Sequence, residues 1–310
     1  MALTSSNIRV TTVYLIREPE RVTRQLALEE SILDDLLPGQ TVLFLWRSLP
    51  AVVLGKNQNP WRECRCSQLS CLGATLARRM SGGGTVWHDP GNWNYSWIGW
   101  RQHYDREMVL RTVCRALQRL GIPADTDPRH AITVKGKKIS GSAFAFRHQK
   151  VLHHGTLLMR ADLERMRLAL EPDLHFDEVR GIASVPSPVM NLADMFPWLS
   201  DDGLLQALMA EFACGSIDIQ PPPDSPKLLR LELQHHSWEW LFGRTPSFAC
   251  RLSFHGRDVT EAMVKSGRLL FDTASSLPYP QMLYHGLPFD EVVRHHDYLL
   301  QSHRSHLGEA

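Results

Sequence analysis

The sequence predicts an α/β fold of the α+β kind, in which a large unit built on a mixed, largely antiparallel sheet is followed by a small α+β unit. Three observations lead there. Short β-rich runs alternate with segments whose apolar residues recur every three or four positions. Several connections between the β-rich runs are too short for a helical crossover, so the strands they join must be antiparallel. The stretch QPPPDSP (220–226) sets three successive prolines where neither a helix nor a central strand can continue. The chain therefore divides into residues 1–220, a linker at 221–226, and residues 227–310.

Each element has its own signal. IRVTTVYLI near the start reads as a strand, and Val22, Leu26, Ile32, Leu33 and Leu36 then recur at helical spacing until Pro38-Gly39 stops the helix. TVLFLWR (41–47) and AVVL (51–54), parted by Leu49-Pro50, are expected to pair with each other before the loop GKNQNPW. Asp105 is placed to cap a helix with the apolar set Val109, Val113, Cys114, Leu117 and Leu120, and Gly121 stands at its stop. AITVKGKKISGSAFAF and VLHHGTLLM follow as strands, with a turn at Gly136, and a second aspartate-capped helix spans 162–170. Beyond the linker, LLRLELQHHSWEWLFG suggests a helix, SFACRLSFH a strand, and VTEAMVKSGRLLFDTA a hairpin around Ser266-Gly267.

Composition narrows the partners. The 34 basic and 33 acidic residues nearly cancel, so neither nucleic acid nor an anionic membrane is expected as a partner. No uncharged window reaches membrane-spanning length. Arg9, Arg17, Glu18 and Glu20 surround an uncharged run too short for a signal-peptide core. The six cysteines are too few and too irregular for a disulfide framework, which favours a reducing compartment. Cys64, Cys66 and Cys71 lack a matching second pair of ligands, so no metal is expected there, and a monomer is expected overall.

The densest chemistry lies in RRMSGGGTVWHDPGN (78–92). Three successive glycines can bring bare backbone N–H groups up to an anion, with Arg78 and Arg79 adding forked, permanently charged donors. The same residues could equally form a tight hairpin with exposed arginines. The spaced dinucleotide fingerprint and the Walker loop are both missing, since Ala131 stands where a Walker glycine would be. In VKGKKISGSAF (134–144), Lys135 and Lys137 read as solvated charges. Lys138 is expected to share a strand face with Ser140, opposite Ile139. By the same alternation, at most one of His153 and His154 enters a given pocket. No serine lies in a nucleophile elbow, Ser81 has no base partner in the sequence, and Cys114 reads as core.

GKNQNPWREC (55–64), RRMSGGGTVWHDPGN, KKISGSAF, HHGTLL, GIASVPSPVMNL (181–192) and SWEWLFGRTPSF (237–248), in the family's order and over nearly the whole chain, resemble the lipoate–protein ligase and lipoyltransferase family. The resemblance implies a biotin/lipoate protein ligase-like catalytic domain with a small C-terminal domain. It implies as substrates lipoyl-AMP, or lipoate plus ATP with magnesium, and no tightly bound cofactor. Lys138 would be the essential lysine. Arg79 and Gly82, Gly83 and Gly84 would hold the adenylate, and Thr85, Val86 and Trp87 would wall the acyl chain and nucleotide. Arg129, Thr156, Ile182, Ala183 and Ser184 would line the same pocket.

The acceptors implied are lipoyl domains of 2-oxoacid dehydrogenase E2 subunits and the glycine-cleavage H protein. TVWHD, ASVPSPVMNL and YDREMVLRTVCRAL look more like the animal mitochondrial lipoyltransferases than the bacterial ligases, which implies a mitochondrial place in a eukaryote and a cytoplasmic one otherwise. The family usually carries Asp two residues after the Arg129 position, where this chain reads Arg129-His130-Ala131. That departure favours transfer over ATP-dependent activation of lipoate. A complete ligase is the second reading, followed by a cysteine-dependent octanoyltransferase, whose cysteine is missing from ADTDPRHAI, and a silent binder of lipoyl domains.

Overall fold

Period-two alternation and short turns build a mixed sheet whose two faces are used differently. The structure is a computed structural model and describes residues 9–172, 182–220, 222–254, 257–271 and 284–295. Ile8, Gly181, Pro221, His255 and 272–274, at the edges of expected elements, lie outside the described residues. The strands of the first unit are β1 (Val10–Glu20), β2 (Val42–Ser48), β3 (Ala51–Leu54), β4 (Thr75–Arg78), β5 (Val86–His88), β6 (Asn92–Trp100), β7 (Ala124–Thr126), β8 (Ile132–Val134), β9 (Lys137–Ser140), β10 (Ser142–Arg147), β11 (Lys150–Leu158) and β12 (Ala213–Gln220). Its helices are α1 (Val22–Asp35), α2 (Pro60–Glu63), α3 (Arg106–Arg119), α4 (Leu163–Ala169), α5 (Leu192–Met195) and α6 (Asp201–Phe212).

The central sheet runs in the order β10-β11-β6-β2-β1-β12. β1 is parallel to β2 and to β12, because α1 and the long excursion before β12 supply crossovers. The pairs β2–β6, β6–β11 and β10–β11 are antiparallel. On one face, Leu43, Tyr95, Trp97 and Leu157 pack with Val109, Val113 and Leu117 of α3 and Leu204, Leu208 and Phe212 of α6. On the other, Phe44, Trp46, Ile98 and Leu152 pack with Leu26, Ile32 and Leu33 of α1. Each of these side chains is buried at about 25 cal/mol per Å² of apolar surface removed from water.

Two small sheets frame the second face. β3 pairs parallel with β4 and antiparallel with β5. It therefore does not pair with β2, contrary to expectation, because Leu49-Pro50 redirects the chain into a separate sheet. β7, β8 and β9 form an antiparallel meander. The turn between β8 and β9 places Lys135 (φ 49°) and Gly136 (φ 76°) in the left-handed region, as a two-residue hairpin requires. The expected caps are in place: the Asp105 carboxylate accepts from the N–H of Glu107 and Met108, and that of Asp162 from Arg165.

After the proline stretch, the expected single helix is two elements. α7 (Pro226–His236) ends at Ser237, and a π-helical turn covers Glu239–Gly243. Ser237 is extended (φ −68°, ψ 145°), and its hydroxyl accepts from the Trp240 N–H, restarting the chain as a new turn. Leu228 of α7 packs into the α1 cluster. β13 (Phe248–Phe254), β14 (Arg257–Lys265) and β15 (Arg268–Leu270) form an antiparallel sheet, with the expected hairpin at Ser266-Gly267. α8 (Phe289–His295) completes a second core in which Phe248, Val264, Phe289 and Val292 meet Trp61 of α2.

Candidate functional site

On the α1 face of the central sheet lies a cavity of about 340 Å³. Its inner end is walled by Leu26, Trp46, Val53 and Val86, with the buried polar groups of His88 and Asn94 among them. Its outer end carries Asp127, Arg129, Lys138 and Ser142 on one side and Ile182–Val185 on the other. An apolar tube thus ends at a charged mouth, a shape suited to a molecule with a hydrocarbon tail and an anionic head.

The glycine run forms one lip. Gly83 is left-handed (φ 84°), and a side chain at Gly55 would collide with the Gly83 carbonyl, so both positions need glycine. Arg79, buried beneath the turn, donates from Nη2 to the carbonyls of Gly82 and Gly84 (2.6 and 2.7 Å), from Nη1 to Val53 (3.0 Å) and from Nε to the Ser81 hydroxyl (2.9 Å). Four of its five N–H groups are thereby matched, and the guanidinium still lines the cavity. Burial pulls its pKa down to about 10, opposed by the charge of Glu29. Neither arginine of the motif is an exposed hairpin residue.

Ser81 does find a histidine. His154 Nε2 lies 2.7 Å from the Ser81 hydroxyl and its Nδ1 2.9 Å from Glu29 on α1. The Ser81 hydroxyl thus accepts from Arg79 and bonds to His154, which in turn bonds to the Glu29 carboxylate. This chain fixes Arg79 from below. Strand alternation sends neighbouring His153 to the opposite face, where its Nδ1 meets the Tyr104 hydroxyl at 3.2 Å. His88, buried beside Arg79 and His154, is pushed down to about 3 and is neutral at physiological pH.

Lys138 is placed by its backbone. Its N–H donates to Pro188 and its carbonyl accepts from Met190, an isolated parallel bridge that ties β9 to the segment 182–190. Ile139 enters the core, but Ser140 is buried away from the cavity, contrary to the expected shared face. The cause is a register shift: Thr133 pairs with Lys138 and Ile132 with Ser140, so Ile139 is an extra residue and the alternation breaks. The Lys138 ammonium makes no hydrogen bond among the described residues. Its pKa is lowered by burial, against the pull of Asp127, with Arg79 and Arg129 adding to the lowering.

The opposite lip is anchored from below. The Ser184 hydroxyl accepts from the Thr85 N–H (2.8 Å) and from Gln58 Nε2 (3.1 Å) and donates to the Glu63 carboxylate. Gln58 Oε1 in turn accepts from the Gly55 N–H and the Thr85 hydroxyl. Thr156 and Gly141 exchange N–H···O bonds on the floor between them (3.0 and 3.2 Å).

Arg79, Gly83, Gly84, Thr85, Val86, Arg129, Lys138, Thr156, Ile182, Ala183 and Ser184 thus converge on one cavity. Gly82 faces the neighbouring depression, contributing only its carbonyl to Arg79. Trp87 is placed elsewhere: one position past Val86 on β5, its ring is buried against Val52, Cys64 and Leu69, and its indole N–H donates to Asp89 (2.8 Å). Sequence reasoning missed Gln58, Glu63, Glu29 and His88. GKNQNPWREC was recognisable as a motif, but its polar side chains gain meaning only across contacts more than a hundred residues long.

Where the carboxylate of the usual motif is expected, the cavity wall carries Ala131. Asp127 also reaches the cavity, but its Oδ1 accepts from the N–H groups of Arg129 and Ala131 (2.9 and 2.8 Å). His130, at φ 62°, takes a hydrogen bond from Arg106. Asp125 is exposed.

Residues 21–213 match the family described as lipoyl protein ligase A/B catalytic domain, and the chain belongs to that family. Among solved structures, it is similar to a lipoate-protein ligase A bound with ATP (27% identity over 74% of this chain and 98% of that one, TM-score 0.61). It is similar also to a bipartite lipoate protein ligase from Thermoplasma acidophilum, studied with its E2 lipoyl domain (25% identity, 75% and 96% covered, TM-score 0.61). P. falciparum LipL1, solved in complex with lipoate, shares the fold (24% identity, 84% and 82% covered, TM-score 0.65). The mixed α/β architecture is that of the lipoate-protein ligases.

Proposed function

We propose that this enzyme is a lipoyltransferase, which moves the lipoyl group of lipoyl-AMP, or of a lipoylated donor protein, to one lysine of a lipoyl domain. The acceptors on this reading are the lipoyl domains of 2-oxoacid dehydrogenase E2 subunits and the glycine-cleavage H protein. The observation that carries it is the Lys138 ammonium, uncommitted among the described residues, at the junction of an apolar tube and a cationic mouth. The tube accepts the acyl chain and Arg129 faces the phosphate side. The acceptor amine attacks the acyl carbonyl, negative charge grows on its oxygen, and Lys138 stabilises that charge more than it stabilises the ground state. Related ligases, one bound with ATP and one studied with its E2 lipoyl domain, support these ligand classes.

Transfer without activation is favoured over a complete ATP-dependent ligase by the methyl group of Ala131 at the wall and by the engagement of Asp127 with its own turn. A carboxylate free to hold a magnesium ion near the phosphates is what adenylation needs. The test is mass spectrometry of an apo-lipoyl domain incubated with the protein plus either synthetic lipoyl-AMP or free lipoate with ATP and magnesium. A mass gain with the adenylate alone is expected. A gain in both mixtures makes the chain a complete ligase, and a gain in neither, beside an active control enzyme, removes lipoyl-AMP as its donor.

A further inference from the structure

Beneath the anchored lip, two thiols meet. Arg65 adopts φ −83° and ψ 71°, and the Cys66 N–H donates to the Cys64 carbonyl at 3.0 Å, the signature of an inverse γ-turn. The turn brings the two side chains together, and their sulfurs lie 3.4 Å apart. Neither is in a disulfide. Cys64 is fully buried, whereas Cys66, packed at the edge of two apolar clusters, is only half-buried.

The cation beside them is unusual. Arg78 is fully buried, and its guanidinium donates to the carbonyls of Gly55, Lys56, Gln58 and Leu241 and to the Thr245 hydroxyl, with no carboxylate within ion-pair reach among the described residues. A buried charge of this kind is steadied by any anion that forms nearby. Burial and the charge of Arg244 lower the Arg78 pKa to about 10, and the groups that act against this lowering are Cys66 and Cys64. The described residues gather no third ligand that would turn the pair into a metal site.

We infer that Cys64 and Cys66 form a reactive dithiol that reduces small-molecule disulfides and, on closing into an internal disulfide, loosens the lip that Glu63 holds over the cavity. The exchange balances. The Cys66 thiolate attacks one sulfur of the external disulfide, forming a mixed disulfide and releasing one thiolate. Cys64 then attacks the Cys66 sulfur and expels the second. Two protein thiols are oxidised, one external disulfide becomes two thiols, and the two protons pass to the leaving groups.

The coupling to the cavity is covalent and short. Closing the pair brings the sulfurs from 3.4 Å to about 2 Å. Cys64 directly follows Glu63 at the end of a four-residue helix, where its N–H is bonded to Pro60. Its displacement is therefore felt by the carboxylate that accepts from the Ser184 N–H and hydroxyl.

This inference does not rest on the transferase reading, and its test needs no activity. The full chain is incubated with oxidised glutathione, residual thiols are alkylated, and the digest is mapped by mass spectrometry while hydrogen exchange is followed in parallel. The expected result is loss of two hydrogens from the Cys64–Cys66 segment with Cys71 still alkylated, and exchange at Thr85 and Ser184 faster by about tenfold, reversed by dithiothreitol. Cys66→Ser is expected to abolish both effects and to leave the reduced protein's exchange unchanged, with Cys66→Ala as the second variant should serine disturb the packing. A disulfide through Cys71, an adduct that never closes, or closure without faster exchange at the lip would each overturn the inference.

Discussion

Arg78 and Arg79 are neighbours in the chain, both buried, and both pulled down to about 10 by desolvation, yet they serve different parts of the molecule. Arg78 turns away from the cavity and joins the GKNQ loop to Leu241 and Thr245 of the C-terminal segment, while the Arg78 carbonyl receives the Trp240 indole N–H. Arg79 turns toward the cavity and holds the glycine lip. Residue type and burial do not separate a structural arginine from a site arginine. What separates them is where the guanidinium ends: on protein acceptors alone, or on a wall that a ligand can reach.

The largest effect that sharpens this contrast is at the cavity. Lys138→Ala is expected to lower single-turnover lipoyl transfer by about 10²–10³-fold, as removal of one charge-stabilising donor does, while the urea midpoint stays put. An equal loss of stability would mean that Lys138 is a structural residue. Arg78→Ala is expected to do the reverse. It leaves buried carbonyls without donors, at roughly 1–3 kcal/mol for each unsatisfied group, so urea denaturation should show a loss of about 3 kcal/mol or more, with transfer per folded molecule little changed.

The pH dependence comes next. The working form of Lys138 is the ammonium, and burial sets its pKa below the ordinary lysine value. The charge is lost as pH rises through that lowered value, so the alkaline limb of the transfer profile should fall below the usual lysine range near 10.4, that is, at lower pH. Lys138→Arg should push that limb upward, since a guanidinium stays charged. An unmoved limb would assign it to another group.

A smaller effect tests the lip. Glu63→Gln keeps the shape but halves the acceptor capacity offered to Ser184. The expected result is a rise in KM for the acyl donor of about tenfold, or about 1.4 kcal/mol, with kcat little altered. A fall in kcat alone would place Glu63 in the chemistry.

Local signals were legible in the sequence to the extent that the physics is local. Aspartate caps at Asp105 and Asp162, the left-handed turns at Gly136 and Ser266-Gly267, and the amphipathic stripe of α1 need only neighbours along the chain. The family's motifs brought Lys138, Arg79 and Ser184 together before any geometry did. What stayed hidden was non-local. The buried Glu29 looks like an ordinary helical glutamate until His154, 125 positions away, arrives at 2.9 Å. The bulge at Ile139 depends on β8, and the break between β2 and β3 depends on which sheet offers β3 two partners.

Trp87 carries the smallest expected effect, and it separates motif reasoning from strand geometry. By position in TVWHD, the indole belongs to the wall of the cavity; by alternation along β5, only Val86 and His88 do. The structure sides with alternation, with the Trp87 ring packed on Val52 and Leu69 and its N–H held by Asp89, whose other oxygen accepts from the Gly91 N–H. Trp87→Phe keeps most of the apolar volume and drops one buried donor, so it should cost about 1–2 kcal/mol in urea denaturation. KM for lipoyl-AMP should not move. Val86→Ala, one residue earlier, should raise KM while costing little stability beyond its two lost methyl groups. If Trp87→Phe raises KM and Val86→Ala does not, the ligand lies on the far side of β5 and the cavity described above is not its site.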